Sequence, residues 1–250
     1  MEVALELSSA SNIIRQIVYP GLDLHTRSRR HLCKFWGSGP RDVLDAGCGN
    51  GYFSWLAYRS GARVVAINFA RDQVEKAKSF LVGFRGADPA RLRFEVANLH
   101  ELRSESRSFD EVICYETLEH IQNDEEVCRS FYRILRPGGI LHLCCPYSLH
   151  PRHIAEVLDQ EENGGHVRPG YTEADYRQLL EPIGFRIEQF SGLGNGPLYH
   201  ADRLLRAVRC RIGDFAALPL LPILLPLTNF GQSNPKTPFS LYVKARKPAC

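Results

Sequence analysis

The stretch Asp45-Ala46-Gly47-Cys48-Gly49-Asn50-Gly51 directly follows the strand-like pair Val43-Leu44. Glycines in such a turn permit positive φ angles and let a ligand approach the backbone N–H groups that open the next helix. A dinucleotide-binding turn has the spacing G-x-G-x-x-G, whereas this one has G-x-G-x-G with a carboxylate two residues before the first glycine. A carboxylate there is a poor host for a pyrophosphate and a good one for an amino-acid ammonium. The turn therefore predicts a ligand that carries an ammonium group.

Apolar runs of strand length alternate with amphipathic runs of helix length from about residue 41 onward. This alternation predicts right-handed β-α-β crossovers, and so a mostly parallel sheet with helices on both faces. The strand candidates are 43–45, 64–68, 92–97, 111–115 and 140–145, and the helix candidates are 52–60, 71–84 and 124–135. Two later strand candidates, 185–190 and 241–247, are separated by a Pro- and Gly-rich region that we predict to be irregular. We expect these two strands to form an antiparallel pair at the sheet edge.

The first 40 residues have a helical pattern, with apolar residues at helical spacing between about Val3 and Trp36 and a break at Tyr19-Pro20-Gly21. We predict an N-terminal helical cap over residues 1–40 and one α/β domain over residues 41–250. A chain of 250 residues with 44% hydrophobic residues is long enough to form one such core.

Charge and cysteine content exclude several function classes. A net charge of +3 is too small a surplus for a broad phosphate-contacting face, so we expect no nucleic-acid partner. The eight cysteines include no C-x-x-C pair, so the spacing of a metal site is missing, and we predict reduced thiols packed as small hydrophobes. The N-terminus lacks the pattern of a signal or transit peptide, which favours a cytoplasmic location.

The apolar segment 215–227 does not fit a plain surface loop. It is shorter than a membrane-spanning helix, and Pro219, Pro222 and Pro226 interrupt any helix through it, so we expect no transmembrane span. Three interpretations stay open: a buried or dimer-packed crossover, a lid over an apolar substrate, or a shallow peripheral contact with a membrane. The sequence is compatible with a monomer or a homodimer.

Two further stretches that follow the glycine-rich turn along the chain carry a family resemblance. They are Phe109-Asp110-Glu111-Val112-Ile113-Cys114 with the following Leu118-Glu119-His120-Ile121, and Leu135-Arg136-Pro137-Gly138-Gly139. With the D-x-G-C-G-x-G turn they make the chain, from about residue 41 to 247, resemble the class I S-adenosylmethionine-dependent methyltransferases. The resemblance implies a Rossmann-like seven-stranded, mostly parallel sheet that ends in an antiparallel hairpin. It also implies S-adenosylmethionine as cofactor, S-adenosylhomocysteine as product, and substrate-facing insertions around 147–175 and 192–238.

The same resemblance assigns cofactor-binding residues. They are Asp45, Gly47, Cys48, Gly49, Asn68, Phe69, Asn98, Leu99 and Tyr115. Asp45, Gly47 and Gly49 would cradle the methionine portion, while Phe69 and Leu99 would enclose the adenine ring. Asn68 stands where the family has an acid that binds both ribose hydroxyls, and an amide oxygen accepts only one such bond well. Asn98 would face the adenine amine, although both asparagines also suit turns at strand ends.

Catalytic and substrate-binding candidates are less well defined. The catalytic candidates are His166, His120 and Tyr115, and the substrate-binding candidates are Tyr19, His25, Tyr147, His166 and Arg168. His166 and Arg168 lie on a glycine-containing loop after the fifth strand, where a histidine can act as general base and an arginine can bind an anionic group. Alternatively, both residues brace the loop before a helix that begins near Thr172 with a capping-box pattern. His120 can likewise be a structural residue of its turn.

Together these features predict in-line methyl transfer to a small molecule, either a metabolite or a natural product. The apolar segment 215–227 adds the expectation of an apolar, isoprenoid or lipid-linked acceptor. A peptide or protein methyltransferase and a non-catalytic S-adenosylmethionine-binding module remain alternatives. The glycine spacing argues against a nicotinamide-dependent dehydrogenase. No residue decides whether carbon, oxygen or nitrogen is methylated.

Overall fold

The computed structural model describes Tyr19 and residues 23–102, 108–194, 196–213, 217–229 and 237–249. Seven strands form one sheet in the order β3-β2-β1-β4-β5-β7-β6. Their bounds are β1 Asp42–Ala46, β2 Arg63–Asn68, β3 Leu92–Val96, β4 Phe109–Tyr115, β5 Leu135–Pro146, β6 Arg186–Leu193 and β7 Ser240–Arg246. The predicted fold class and all seven strand candidates are confirmed.

The first five strands are parallel, so the connection between consecutive strands returns the chain each time to the same end of the sheet. Helices cover both faces, so β1 and β4 are almost entirely buried, including the side chains of Asp45 and Glu111. The helices between these strands are α2 Tyr52–Arg59, α3 Arg71–Lys78 with its π-helical extension Ser79–Phe84, and α4 Asp124–Ile134. All three predicted helices are present.

The C-terminal strands form the expected antiparallel hairpin, with β7 between β5 and the edge strand β6. The prediction of an irregular connection between them is wrong, because it contains the 17-residue helix α7, Gly196–Ile212. This helix buries Leu198, Ala201 and Leu205, which recur at helical spacing, against Leu221 and Leu224. The surrounding glycines and prolines concealed that pattern.

The remaining helices and 3₁₀ turns each span eight residues or fewer. The helices are α1 Leu24–Arg29, α5 Pro151–Ile154, α6 Glu173–Leu180 and α8 Leu221–Leu224, and 3₁₀ turns span Arg30–Phe35, Leu99–Glu101, Leu118–His120, Leu218–Leu220 and Leu225–Asn229. The predicted capping box is present at Thr172, whose side chain exchanges hydrogen bonds with Asp175. The predicted N-terminal cap is described only at Tyr19 and from residue 23 onward; the rest of it lies outside the described residues.

Candidate functional site

A cavity of about 390 Å³ opens at the carboxyl ends of the parallel strands. Because the chain runs from β1 outward to β3 and then back to β4, the strand order reverses beside β1, and ligands of open α/β sheets bind at such a reversal. The walls come from the segments that follow β1, β2, β3 and β4, and from the loop between α5 and α6. The sheet topology therefore brings together residues from five separate parts of the sequence.

The turn after β1 contributes bare backbone to this cavity. Gly47 has a φ of 81°, and a Cβ atom there would lie 2.2 Å from Thr117 Oγ1. Gly49 has a φ of 50° and open space around its missing side chain. A ligand can therefore reach the backbone at Gly49, while Gly47 lets the β1 turn and the β4 turn pack together.

Asp45 lies behind the glycine turn and does not line the cavity. Ser54 Oγ donates a hydrogen bond of 2.5 Å to its carboxylate. Burial raises the pKa of Asp45 to about 6, and the hydrogen bond from Ser54 only partly offsets that effect. A cation bound nearby would favour the ionised form. Cys48, also buried, contributes little polarity to this wall.

The two asparagines at strand ends line the cavity but already have hydrogen-bond partners. Asn68 Oδ1 accepts from the N–H of Ala70 at 2.9 Å, and Asn98 Oδ1 accepts from the N–H of His100 at 3.1 Å. Both side chains therefore perform the turn-forming role that the sequence left open. Their roles toward a cofactor stay predictions.

Two apolar side chains frame the same part of the cavity. Phe69, after β2, is 72% exposed, and Leu99, after β3, is almost buried. An exposed phenylalanine at the rim of a cavity offers a flat surface on which an aromatic ring can stack.

Glu116 forms the wall where β4 ends, and the sequence did not single it out. Among the described non-glycine residues, it alone has a positive φ, 49°, a conformation that costs about 1–3 kcal/mol and persists where surrounding contacts enforce it. Its N–H donates to the carbonyl of Cys144 at 2.7 Å. Its carboxylate pairs with Arg29 Nη2 at 2.6 Å, and Ser240 Oγ approaches at 3.4 Å. No local pattern reveals this arrangement, because its partners come from α1 and β7.

His120 lies on the cavity wall with a defined tautomer. Its Nδ1 is 2.8 Å from the carbonyl oxygen of Gly165. Because a carbonyl only accepts hydrogen bonds, Nδ1 carries the proton and Nε2 of the neutral ring keeps its lone pair. Burial lowers the pKa of His120, which keeps the ring neutral near pH 7.

His166 approaches His120 from the loop but does not itself line the cavity. Their ring centroids are 4.7 Å apart, and His166 Nδ1 is 3.0 Å from the Glu156 carboxylate. Glu119 is fully buried nearby, and burial raises its pKa well above the usual range. Its carboxylate oxygens have no hydrogen-bond partner in the described structure apart from a weak approach of the Cys145 thiol.

Glu119, His120 and His166 each place one potential metal-ligand atom within 4.8 Å of the others. Carboxylate and imidazole groups at such spacing are able to hold a divalent cation. The cluster contains no cysteine, so the spacing of the cysteines gives no sign of it.

Arg168 performs the bracing role that the sequence offered as an alternative. Its guanidinium pairs with Asp124 at 2.5 Å and donates to the carbonyls of Ile121 and Gln122 at 2.7 and 2.8 Å. These bonds fix the loop onto the start of α4. Tyr147 lies at the start of the same insertion, residues 147–175, and forms an isolated parallel β-bridge with Tyr171.

The three remaining candidates lie beside the cavity rather than on its described lining. The hydroxyl of Tyr115 accepts a hydrogen bond from Trp36 Nε1 at 3.1 Å, on the far side of the sheet end. Tyr19 donates to the carbonyl of Asn50 at 3.3 Å, so the N-terminal segment does reach the glycine turn. His25 is buried and stacked on Phe239, and burial lowers its pKa to about 3.

Comparison with known proteins defines the family. A methyltransferase domain family matches residues 44–143. The ubiquinone biosynthesis O-methyltransferase of Xanthomonas oryzae pv. oryzae is 38% identical over 187 residues, which cover 71% of this chain and 76% of that protein. The mitochondrial ubiquinone biosynthesis O-methyltransferase of Rattus norvegicus is 27% identical over 166 residues, 62% of this chain, and the match spans about half of that protein, 47%.

Solved structures show the same fold at low sequence identity. An S-adenosylmethionine-dependent methyltransferase from Mesorhizobium loti has a TM-score of 0.60 at 19% identity, covering 89% of this chain and 99% of that one. The [4+2]-cyclase SpnF has a TM-score of 0.62 at 19% identity, covering 90% of this chain and 81% of that one. The chain belongs to the class I S-adenosylmethionine-dependent methyltransferases, and its cofactor is S-adenosylmethionine.

The cavity has features that fit this cofactor. The bare turn at Gly49 leaves room beside the backbone, and the buried carboxylate of Asp45 complements an ammonium group. Phe69 offers a surface for an adenine ring, and Asn68 and Asn98 bring polar side chains to the same rim. These residues would hold the cofactor with its amino-acid end toward β1.

Proposed function

We propose that this chain methylates a hydroxyl oxygen of a small, apolar aromatic acceptor. The observation that carries the proposal is His120, a neutral histidine on the cavity wall whose Nδ1–H is fixed on the Gly165 carbonyl. Its Nε2 is therefore available as a base, which a hydroxyl acceptor needs and an amine already neutral at its nitrogen does not. The names of the ubiquinone biosynthesis O-methyltransferases support the same acceptor atom.

S-adenosylmethionine supplies an electrophilic methyl group and a good leaving group, so the protein mainly aligns the reactants and excludes water. The glycine turn and Asp45 would hold its amino-acid end. His120 Nε2 takes the hydroxyl proton of the acceptor as the oxygen becomes nucleophilic. Such a base contributes roughly 10²–10⁴-fold to the rate. The carboxylate of Glu156, which pairs with His166 beside His120, would stabilise the resulting imidazolium.

The test is methyl transfer to an uncharged, alkyl-substituted catechol and to the matching aromatic amine, with the products identified by mass spectrometry. We expect an O-methyl product, and we expect His120→Ala to lower kcat by about 10²–10⁴-fold while leaving S-adenosylhomocysteine affinity within about twofold. His200→Ala is the matched control, because His200 is exposed on α7 away from the cavity. Products carrying the methyl group only on nitrogen, or full activity of His120→Ala, would overturn the proposal.

We also propose that the acceptor reaches the site from a membrane surface. None of the described helices combines the length and apolarity that crossing a bilayer requires. However, residues 217–228 include no charged side chain, and Ile223 is 71% exposed. The neighbouring helix α7 carries Arg203, Arg206 and Arg211 on its exposed side. An apolar segment beside exposed arginines favours a shallow contact with anionic lipid.

A further inference from the structure

The nucleoside part of the cofactor brings three hydrogen-bond donors into the cavity, namely two ribose hydroxyls and the adenine amine. The amide oxygens of Asn68 and Asn98 are each engaged with a backbone N–H at 2.9 and 3.1 Å. The Asn68 amide nitrogen, in turn, points to Gln73 Oε1 at 3.4 Å. An amide oxygen already in use is a weaker host for a further donor than a carboxylate with two oxygens. The side chains at these two strand ends therefore offer the nucleoside few free hydrogen-bond acceptors.

Two carboxylates line the cavity, those of Glu116 and Glu162. Glu116 pairs with the buried guanidinium of Arg29 at 2.6 Å, so a permanent cation of the protein already balances its charge, whereas the partner of Glu162 is a histidine, His100. Glu162 comes from the loop between α5 and α6, more than 90 residues after the Asn68 strand end. Its charge is thus the one that the described lining leaves for a ligand.

Hydrogen bonds from two residues outside the loop hold the Glu162 carboxylate at the cavity. The N–H of Gln122 donates to Oε1 at 2.7 Å, and His100 Nε2 is 2.9 Å from Oε2. Partial burial acts to raise the pKa of Glu162, but the bonds from Gln122 and His100 outweigh it and lower that pKa. The carboxylate is therefore ionised at neutral pH. Since a carboxylate has about four acceptor positions, these two partners leave some of them unused.

We propose that Glu162 is a cofactor-binding residue whose carboxylate accepts hydrogen bonds from the nucleoside, from either the ribose hydroxyls or the adenine amine. The loop between α5 and α6 thus contributes directly to cofactor affinity. The same loop carries the Gly165 carbonyl that fixes the His120 tautomer. Binding of the nucleoside at Glu162 therefore stabilises the loop conformation that the base requires.

Calorimetric binding of S-adenosylhomocysteine and 5′-methylthioadenosine to the full chain tests this proposal without any acceptor. We expect Glu162→Gln to weaken both ligands by roughly tenfold or more, since a hydrogen bond to a charged group is lost. The matched control is Glu161→Gln, on the adjacent exposed loop residue, with affinity within about twofold of wild type. Because 5′-methylthioadenosine lacks the amino-acid portion, an equal loss for both ligands assigns the effect to the nucleoside.

Two further comparisons separate binding from loop bracing. His100→Ala removes a partner of Glu162 but keeps its carboxylate, so we expect a loss of no more than about threefold. In the Glu162→Gln background, recovery by Asn68→Asp assigns the contact to ribose, and recovery by Asn98→Asp assigns it to the adenine amine. Unchanged affinity of Glu162→Gln, or equal losses in Glu162→Gln and His100→Ala, would overturn the proposal. Either result leaves the O-methylation proposal standing, because that one depends on product formation and His120.

Discussion

Replacing Gly47 by alanine should destabilise the protein and obstruct the cofactor turn. The φ of Gly47 is 81°, and an L-residue in that region costs about 1–2 kcal/mol. The added Cβ would also lie 2.2 Å from Thr117 Oγ1 and 2.9 Å from Thr117 Cβ, so more than a side-chain rotation is needed. Overpacking of this kind costs about 1–3 kcal/mol. We therefore expect Gly47→Ala to lower the free energy of unfolding by about 2–5 kcal/mol, measured by urea denaturation.

Gly49 provides the matched control for this prediction. Its φ is 50°, yet no atom lies within 4 Å of an added Cβ, so Gly49→Ala should cost only the backbone term of about 1–2 kcal/mol. Thr117→Gly removes the three atoms nearest to the added Gly47 Cβ and should bring the cost of Gly47→Ala down toward that of Gly49→Ala. If Gly47→Ala costs no more than Gly49→Ala, or if Thr117→Gly gives no relief, the steric reasoning is wrong.

Three further predictions concern charge and surface. Burial raises the pKa of the Asp45 carboxyl to about 6, from a value near 3.8 in the unfolded chain. The free energy of unfolding therefore falls as the pH rises between these two values, because the unfolded chain ionises first. Asp45→Asn should therefore stabilise the ligand-free protein by up to about 3 kcal/mol at pH 8, with no difference near pH 3, in urea denaturation at both pH values. The wild type should lose S-adenosylhomocysteine affinity below pH 6, and a parallel loss in Asp45→Asn would exclude Asp45 as its origin. Arg29→Met leaves the Glu116 carboxylate without its cation and should lower the free energy of unfolding by about 2–4 kcal/mol. Adding Glu116→Gln should recover most of this loss, and no recovery in the double-mutant cycle would contradict the pairing. Ile223→Asp should reduce co-sedimentation of the protein with phosphatidylglycerol vesicles by roughly tenfold. Phe84→Asp, on the α3 side, should leave it unchanged, and equal binding of both variants would argue against the membrane contact.

The sheet was predictable because its strands and helices are encoded locally. The central strands β1 and β4 are buried on both faces, and each appears in the sequence as a short, mostly apolar stretch. The glycine turn was predictable for a similar reason, since Gly47 and Gly49 sit at positive φ angles that few other residues tolerate. Helix α7 was missed because its buried positions alternate with exposed arginines within a segment bordered by prolines.

The polar part of the site depends on contacts between distant segments, which no local pattern reports. Glu116 is held by Arg29, 87 residues earlier, and Glu162 by His100, 62 residues earlier. Both glutamates look like ordinary surface acids in the sequence. The hydroxyl of Tyr115, a catalytic and cofactor-binding candidate, likewise accepts a hydrogen bond from Trp36, 79 residues earlier in the sequence.

A single loop connects the two halves of the proposed reaction site. Between Glu162 and Arg168 it supplies a carboxylate to the cavity, the Gly165 carbonyl to His120, and a guanidinium to Asp124 at the start of α4. The bonds from Arg168 anchor one end of this stretch whether or not a ligand is present, while Glu162 at the other end is only partly buried and makes its contacts at the cavity. Tightening the Glu162 end by a bound nucleoside would therefore reduce motion at Gly165, which lies between the two. Since the neutral tautomer of His120 depends on that carbonyl, the base is best defined once the cofactor is bound, which favours an order of binding in which the cofactor precedes the acceptor.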